Sequence, residues 1–109
     1  MLQEMPVMSS GGGGGSYELT NICTDQTVSS VAAGGIYDTG VPATVNIVCV
    51  ARNNFVGYKY FYVDADGTVT DFTNRSSQQW DVLVQNGNIC VKNGNTQAYG
   101  MAWDIYKIG

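Results

Sequence analysis

Thirteen valines and six isoleucines stand against three leucines and two glutamates in a chain of 109 residues. β-Branched side chains lose rotamer freedom against the preceding turn of a helix and pack well on a pleated surface, so this balance argues against an all-α fold and for an all-β one. Turn-forming pairs separate the β-branched runs: Gly34-Gly35, Asp66-Gly67, Asn86-Gly87 and Asn93-Gly94. Glycine and asparagine tolerate the left-handed backbone that tight turns need.

Reading from the start of the body, residues 17–24 and 26–33 predict two first strands, ended by Gly34-Gly35. Residues 44–51 are a mostly apolar run, too short for a typical helix and bounded by Pro42 and Asn53-Asn54, which predicts a central strand buried on both faces. Residues 56–63 alternate and lead through Asp64-Ala65-Asp66-Gly67 into residues 68–72, a hairpin. Residues 80–84 and 89–92 flank Asn86-Gly87 and predict another. Asn93-Gly94-Asn95 repeats that turn and opens a last strand at 97–108. Along it Tyr99, Met101, Trp103 and Ile105 share one face, read as core, and Ala98, Gly100, Ala102 and Asp104 share the other. The expected architecture is an antiparallel two-sheet β-sandwich, jelly-roll or immunoglobulin-like in its connections.

Domain organisation follows from a run of five glycines and a serine at residues 11–16. It separates a short arm, residues 1–10, from a body, residues 17–109. A Gly/Ser run is expected to act as a tether with high conformational freedom. It is also the composition of a designed linker, so an engineered origin is a second reading of it. The arm carries Met1, Leu2, Met5, Pro6, Val7 and Met8. An apolar segment on such a leash suits docking into a groove or along a sheet edge of another subunit. The arm has neither the basic residues nor the long apolar core of a secretory signal, and no stretch of the chain approaches the ~20 apolar residues of a membrane-spanning helix.

Charge narrows the function classes. Nine acidic and five basic residues give a net charge of −4, and the five cations are scattered singly, with no stripe to follow a phosphate backbone, so nucleic-acid binding is not expected. Charged residues are only 13% of the chain, about half the usual share. A neutral polar surface suffers little charge desolvation when subunits pack together, which suits an assembled or extracellular protein.

Side chains for chemistry are few. Histidine is absent, which removes the usual general base and the commonest metal ligand, and no Ser–His or Cys–His pair can form. Asp64, Asp66 and Asp71 flank a hairpin turn and are read as turn formers rather than as an acid/base pair or a calcium loop, in which the glycine would stand two places later and a closing glutamate, missing here, would follow. Cys23, Cys49 and Cys90 show no CxxC spacing and read as small buried hydrophobes, though one disulfide among them is open. Asn74-Arg75-Ser76 matches the N-glycosylation pattern, which matters only on a eukaryotic secretory route. No catalytic residue, metal site or cofactor is expected. Tyr58, Tyr60 and Tyr62 alternate onto one face of a strand; beside Trp80 they form a candidate platform for stacking sugar rings, the alternative being ordinary core and half-buried surface.

The arm ending in Met5-Pro6-Val7-Met8-Ser9-Ser10, the glycine run, and the Asn/Thr/Val-rich body ending in Trp103-Asp104-Ile105-Tyr106-Lys107 together resemble the small accessory virion proteins of tailed phages. Head-decoration, head-fibre and tail-fibre-tip modules share this layout. The resemblance lies in layout and composition over the whole chain and assigns no role to a single residue. It implies an N-terminal anchor on the particle and a projecting β domain that in some members binds host glycans. The expected function is therefore a non-enzymatic structural protein of a virion or extracellular assembly. Its partners would be other assembly subunits, copies of itself included, or a surface glycan. Carbohydrate binding and fibre assembly by arm or strand exchange are the alternatives.

Overall fold

The computed structural model describes residues 19–73 and 78–109. The arm at 1–10, the glycine run at 11–16 and the Asn-Arg-Ser tripeptide at 74–76 lie outside the described residues. Eight strands follow one another: β1 (Leu19–Val31), β2 (Ile36–Pro42), β3 (Asn46–Arg52), β4 (Lys59–Val63), β5 (Val69–Asp71), β6 (Trp80–Gln85), β7 (Asn88–Asn93) and β8 (Tyr99–Ile108). No helix occurs among the described residues. The strands form a five-stranded sheet in the order β1-β8-β3-β4-β5 and a three-stranded sheet in the order β2-β7-β6. All pairings are antiparallel. The fold is thus all-β, with two antiparallel sheets packed as a sandwich.

The core lies between the sheets. Val48 and Val50 of β3, Phe61 and Val63 of β4, and Met101, Trp103 and Ile105 of β8 form one wall. Trp80 and Val82 of β6 with Ile89 and Val91 of β7 form the other. Burying each large apolar side chain contributes roughly 1.5–3 kcal/mol before ordering costs. The period-2 alternation sets which residues enter: on β8 Met101, Trp103 and Ile105 are buried inward as their spacing predicts. β3, held between β8 and β4, is buried from Asn46 to Ala51 on both faces, as its continuous apolar run predicts.

Two turns form as their residues dictate. Asn86 and Gly87 take φ of 54° and 78°, the two left-handed positions of a type I′ turn, and join Gln85 directly to its cross-strand partner Asn88. At the other hairpin the Asp64 N–H donates to Thr68 O at 2.8 Å and the Gly67 N–H to Asp64 O at 3.0 Å, while Gly67 takes a φ of 92°.

Other expectations are corrected. The two strands predicted at 17–24 and 26–33 are, over the described residues, one strand paired with β8 along its length. Asp25 between them adopts a φ of 54°, but its N–H donates to the Asp104 carboxylate at 2.7 Å, so the kink is a bulge held by the neighbouring strand and not a reversal. The run at 56–63 becomes strand only from Lys59, because Phe55 and Gly57 take φ of 61° and 73° and fold the chain back through an Arg52 N–H to Val56 O bond. Asn93-Gly94-Asn95 is not a hairpin turn. Neither Asn93 nor Gly94 has a positive φ, and the segment carries the chain from the three-stranded sheet to the five-stranded one. Asn93 is fully buried there, donating through Nδ2 to Val31 O at 3.0 Å and Gln97 O at 2.8 Å, and accepting from the Asn95 N–H at 3.0 Å.

Candidate functional site: the outer aromatic face of the larger sheet

Alternation sends Phe61 and Val63 of β4 inward and leaves Tyr60 and Tyr62 on the outer face of the five-stranded sheet, with Tyr58 just ahead of the strand. Register carries that face across the sheet. Tyr62 is opposite Ile47, which is opposite Tyr106; Tyr60 is opposite Cys49, which is opposite Asp104. Ile47 and Cys49 are buried even on this outer side, with Tyr58, Tyr60, Tyr106 and Ile108 packed against them. Phe72 extends the face past β4: its N–H donates to Tyr60 O, and its ring lies 6.0 Å from that of Tyr60 at 25°. Of the predicted platform, the structure brings Tyr58, Tyr60 and Tyr62 together.

Trp80 is separated from them. It stands on β6 of the opposite sheet, 1% exposed, with its ring edge-on to Tyr99 at 5.8 Å. The expectation that it joins a surface platform is corrected. The position that begins β6 faces the inter-sheet core, and a side chain of that size fills it.

The groups on this face are held neutral. Burial, then the Asp104 carboxylate, push the Cys49 thiol up to about 12, with the Tyr60 hydroxyl bonded to the sulfur in partial opposition. Burial and then Cys49 push Tyr60 up to about 12 as well, and burial chiefly raises Tyr58. A thiol so placed is no nucleophile near neutral pH. Cys23, Cys49 and Cys90 are all unpaired, and Cys49 and Cys90 are buried.

At one end of the face lies a hollow of about 60 Å³, lined by Asp25, Cys49, Ala51, Phe55, Tyr58, Ala102, Trp103 and Asp104. It is far smaller than a small-molecule pocket, which starts near ~300 Å³. The face can therefore make broad contact with a flat or extended partner and cannot enclose a sugar. Around the first hairpin the three carboxylates serve the backbone or a single cation. Asp64 accepts from the Ala65 N–H at 2.7 Å, Asp66 accepts from the Thr68 N–H at 2.9 Å, and Asp71 pairs with Lys59 at 2.9 Å.

No family model matches this chain, and neither a curated protein nor a solved structure resembles it significantly.

Ile47, Cys49, Phe72, Tyr106 and Ile108 are members of the face that sequence reasoning missed. Tyr106 and Ile108 continue the alternation that puts Ala102 and Asp104 outward, and following it two positions further finds them. Phe72 and the β3 residues emerge only from the register between strands.

Proposed function

We propose that the chain is a non-enzymatic accessory subunit of a virion or other extracellular assembly, anchored through residues 1–10 and displaying its β-sandwich. The observation carrying this reading is that β1 to β8 supply both walls of the inter-sheet core from their own side chains. The arm carries the apolar residues Met1, Leu2, Met5, Pro6, Val7 and Met8 beyond a glycine run, a layout suited to a contact with another subunit. Several such side chains buried in a partner would contribute roughly 1.5–3 kcal/mol each before ordering costs, and repetition over a symmetric particle multiplies the effect through avidity. For the finer topology we favour jelly-roll over immunoglobulin-like connections, since the first and last strands pair within one sheet, whereas the immunoglobulin arrangement puts them in different sheets. The test is co-sedimentation of the full chain with the candidate particle, beside a chain carrying Met5→Asp and Met8→Asp. Loss of the variant from the pellet with its circular dichroism unchanged supports the anchor; equal recovery of both sinks it.

A second reading, adhesion to surface glycans, is favoured by Tyr58, Tyr60 and Tyr62 sharing one outer face with Tyr106 and Phe72. Aromatic rings stack on the apolar faces of pyranoses. Binding on a glycan screen that disappears with Tyr58→Ala or Tyr62→Ala supports it, and binding indifferent to both removes it.

A further inference from the structure

We propose that in the free subunit residues 1–10 seat on the outer aromatic face of their own five-stranded sheet. The face is built for an uncharged extended segment. Ile47 and Cys49 form its floor, Tyr58, Tyr60 and Tyr106 its rim, and its charged side chains, Asp104 and Asp25, are confined to the hollow at one end. Its apolar surface continues to both edges of the sheet. Leu19, paired with Ile108, is 40% exposed on β1, and Phe72, beside Tyr60, is 43% exposed. No described residue covers this surface, unlike the inner face of the same sheet, which the three-stranded sheet covers.

The arm matches in chemistry. Glu4 is its sole charged side chain, and three of the chain's four methionines, Met1, Met5 and Met8, lie in it. Methionine sulfur makes favourable contacts with aromatic ring edges, and its unbranched chain adapts to an uneven floor.

Reach selects the occupant. The arm rejoins the described chain at Leu19, on the edge strand of this very sheet. From β1 to β4 is three strand spacings, about 14 Å. Residues 9–18 link Met8 to Leu19, and a Gly/Ser-rich chain of about ten residues has a root-mean-square span of roughly 17 Å. A linker whose span matches the distance gives its ligand an effective concentration in the ~mM range. A second copy wins the same seat only above that concentration. The arm of the same chain is therefore the occupant.

The proposal goes beyond the anchoring reading, because a segment seated at home must leave its seat to engage a particle. The test is nuclear magnetic resonance on the full chain with methyl-labelled methionine, where Met101, fully buried in the core, is the internal reference. The expected result is ring-current upfield shifts of the Met5 and Met8 methyls, with nuclear Overhauser contacts to the Tyr60 and Tyr106 rings. These should be unchanged on dilution, at the hydrodynamic mass of one chain. The Met5→Asp, Met8→Asp chain should lose the contacts and keep the Met101 shift. Arm methyls at free-methionine shifts, or contacts that fade on dilution together with a mass above one chain, overturn the seat. Neither outcome touches the anchor, which stands or falls on co-sedimentation.

Discussion

Replacing Asn93 by alanine tests whether this residue is a turn former or a buried tie. In a solvated turn the side chain would be worth a few tenths to about 1 kcal/mol. The structure predicts more. The Nδ2 bond to Val31 O lies wholly in the interior, and its loss leaves a buried acceptor unpaired, at about 1–3 kcal/mol. The bonds to Gln97 O, from the Asn95 N–H and from the Asn95 amide are partly buried, and water replaces them incompletely, at roughly 0.5–1 kcal/mol each. The sum is about 2.5–6 kcal/mol, a large share of the 5–15 kcal/mol that stabilises a typical domain. With a urea slope of about 2 kcal/mol/M, the midpoint should fall by roughly 2 M. Trp80 and Trp103, both buried, report unfolding by fluorescence. Asn95→Ala is the control: it keeps both Asn93 donor bonds and removes only the Asn95 side-chain contacts, so it should cost about 1 kcal/mol. An Asn93→Ala chain as stable as the Asn95→Ala chain would refute the reasoning and restore the turn.

Three further outcomes are expected. Trp80→Ala should destabilise by about 3–5 kcal/mol in the same assay, because it empties a core position, whereas Tyr62→Ala on the outer face should cost markedly less. Partial burial works against ionisation of Asp71, but the Thr73 hydroxyl, Lys59 and the Thr73 N–H together outweigh it and hold its carboxyl below the usual range. A depressed folded-state pKa gives stability that is present above the unfolded value near ~3.9 and is lost as pH falls through the folded value. Asp71→Asn should therefore flatten the acid limb of an unfolding profile below about pH 4, by no more than about 1 kcal/mol because the pair is part-exposed. Finally, burial raises all three thiols above their ordinary value. A thiol reagent at pH 8 should label the native chain slowly and all three cysteines after denaturation without reductant; fewer than three would reveal a disulfide.

Much of the architecture is legible from local chemistry, since turn conformation and side-chain alternation depend on a few adjacent residues. Asn86-Gly87 specifies its turn whatever surrounds it, the unbroken run through Ile47, Val48 and Cys49 demands burial on both faces, and Tyr58, Tyr60 and Tyr62 share a face by alternation alone. Those features, with the all-β class, belong to the sequence. What it leaves undecided is which distant strand each segment meets. Asp25 reads as a break until the Asp104 carboxylate, 79 residues away, is seen to hold it within one long strand. Asn93 reads as a turn until Val31 O, 62 residues away, is seen to need its amide. Trp80 and the tyrosine row look equally fit for a surface until the order of the sheets buries one and leaves the other outside. Burial belongs to a face only once another sheet lies on it, and that partner is chosen by long-range pairing that no local pattern encodes.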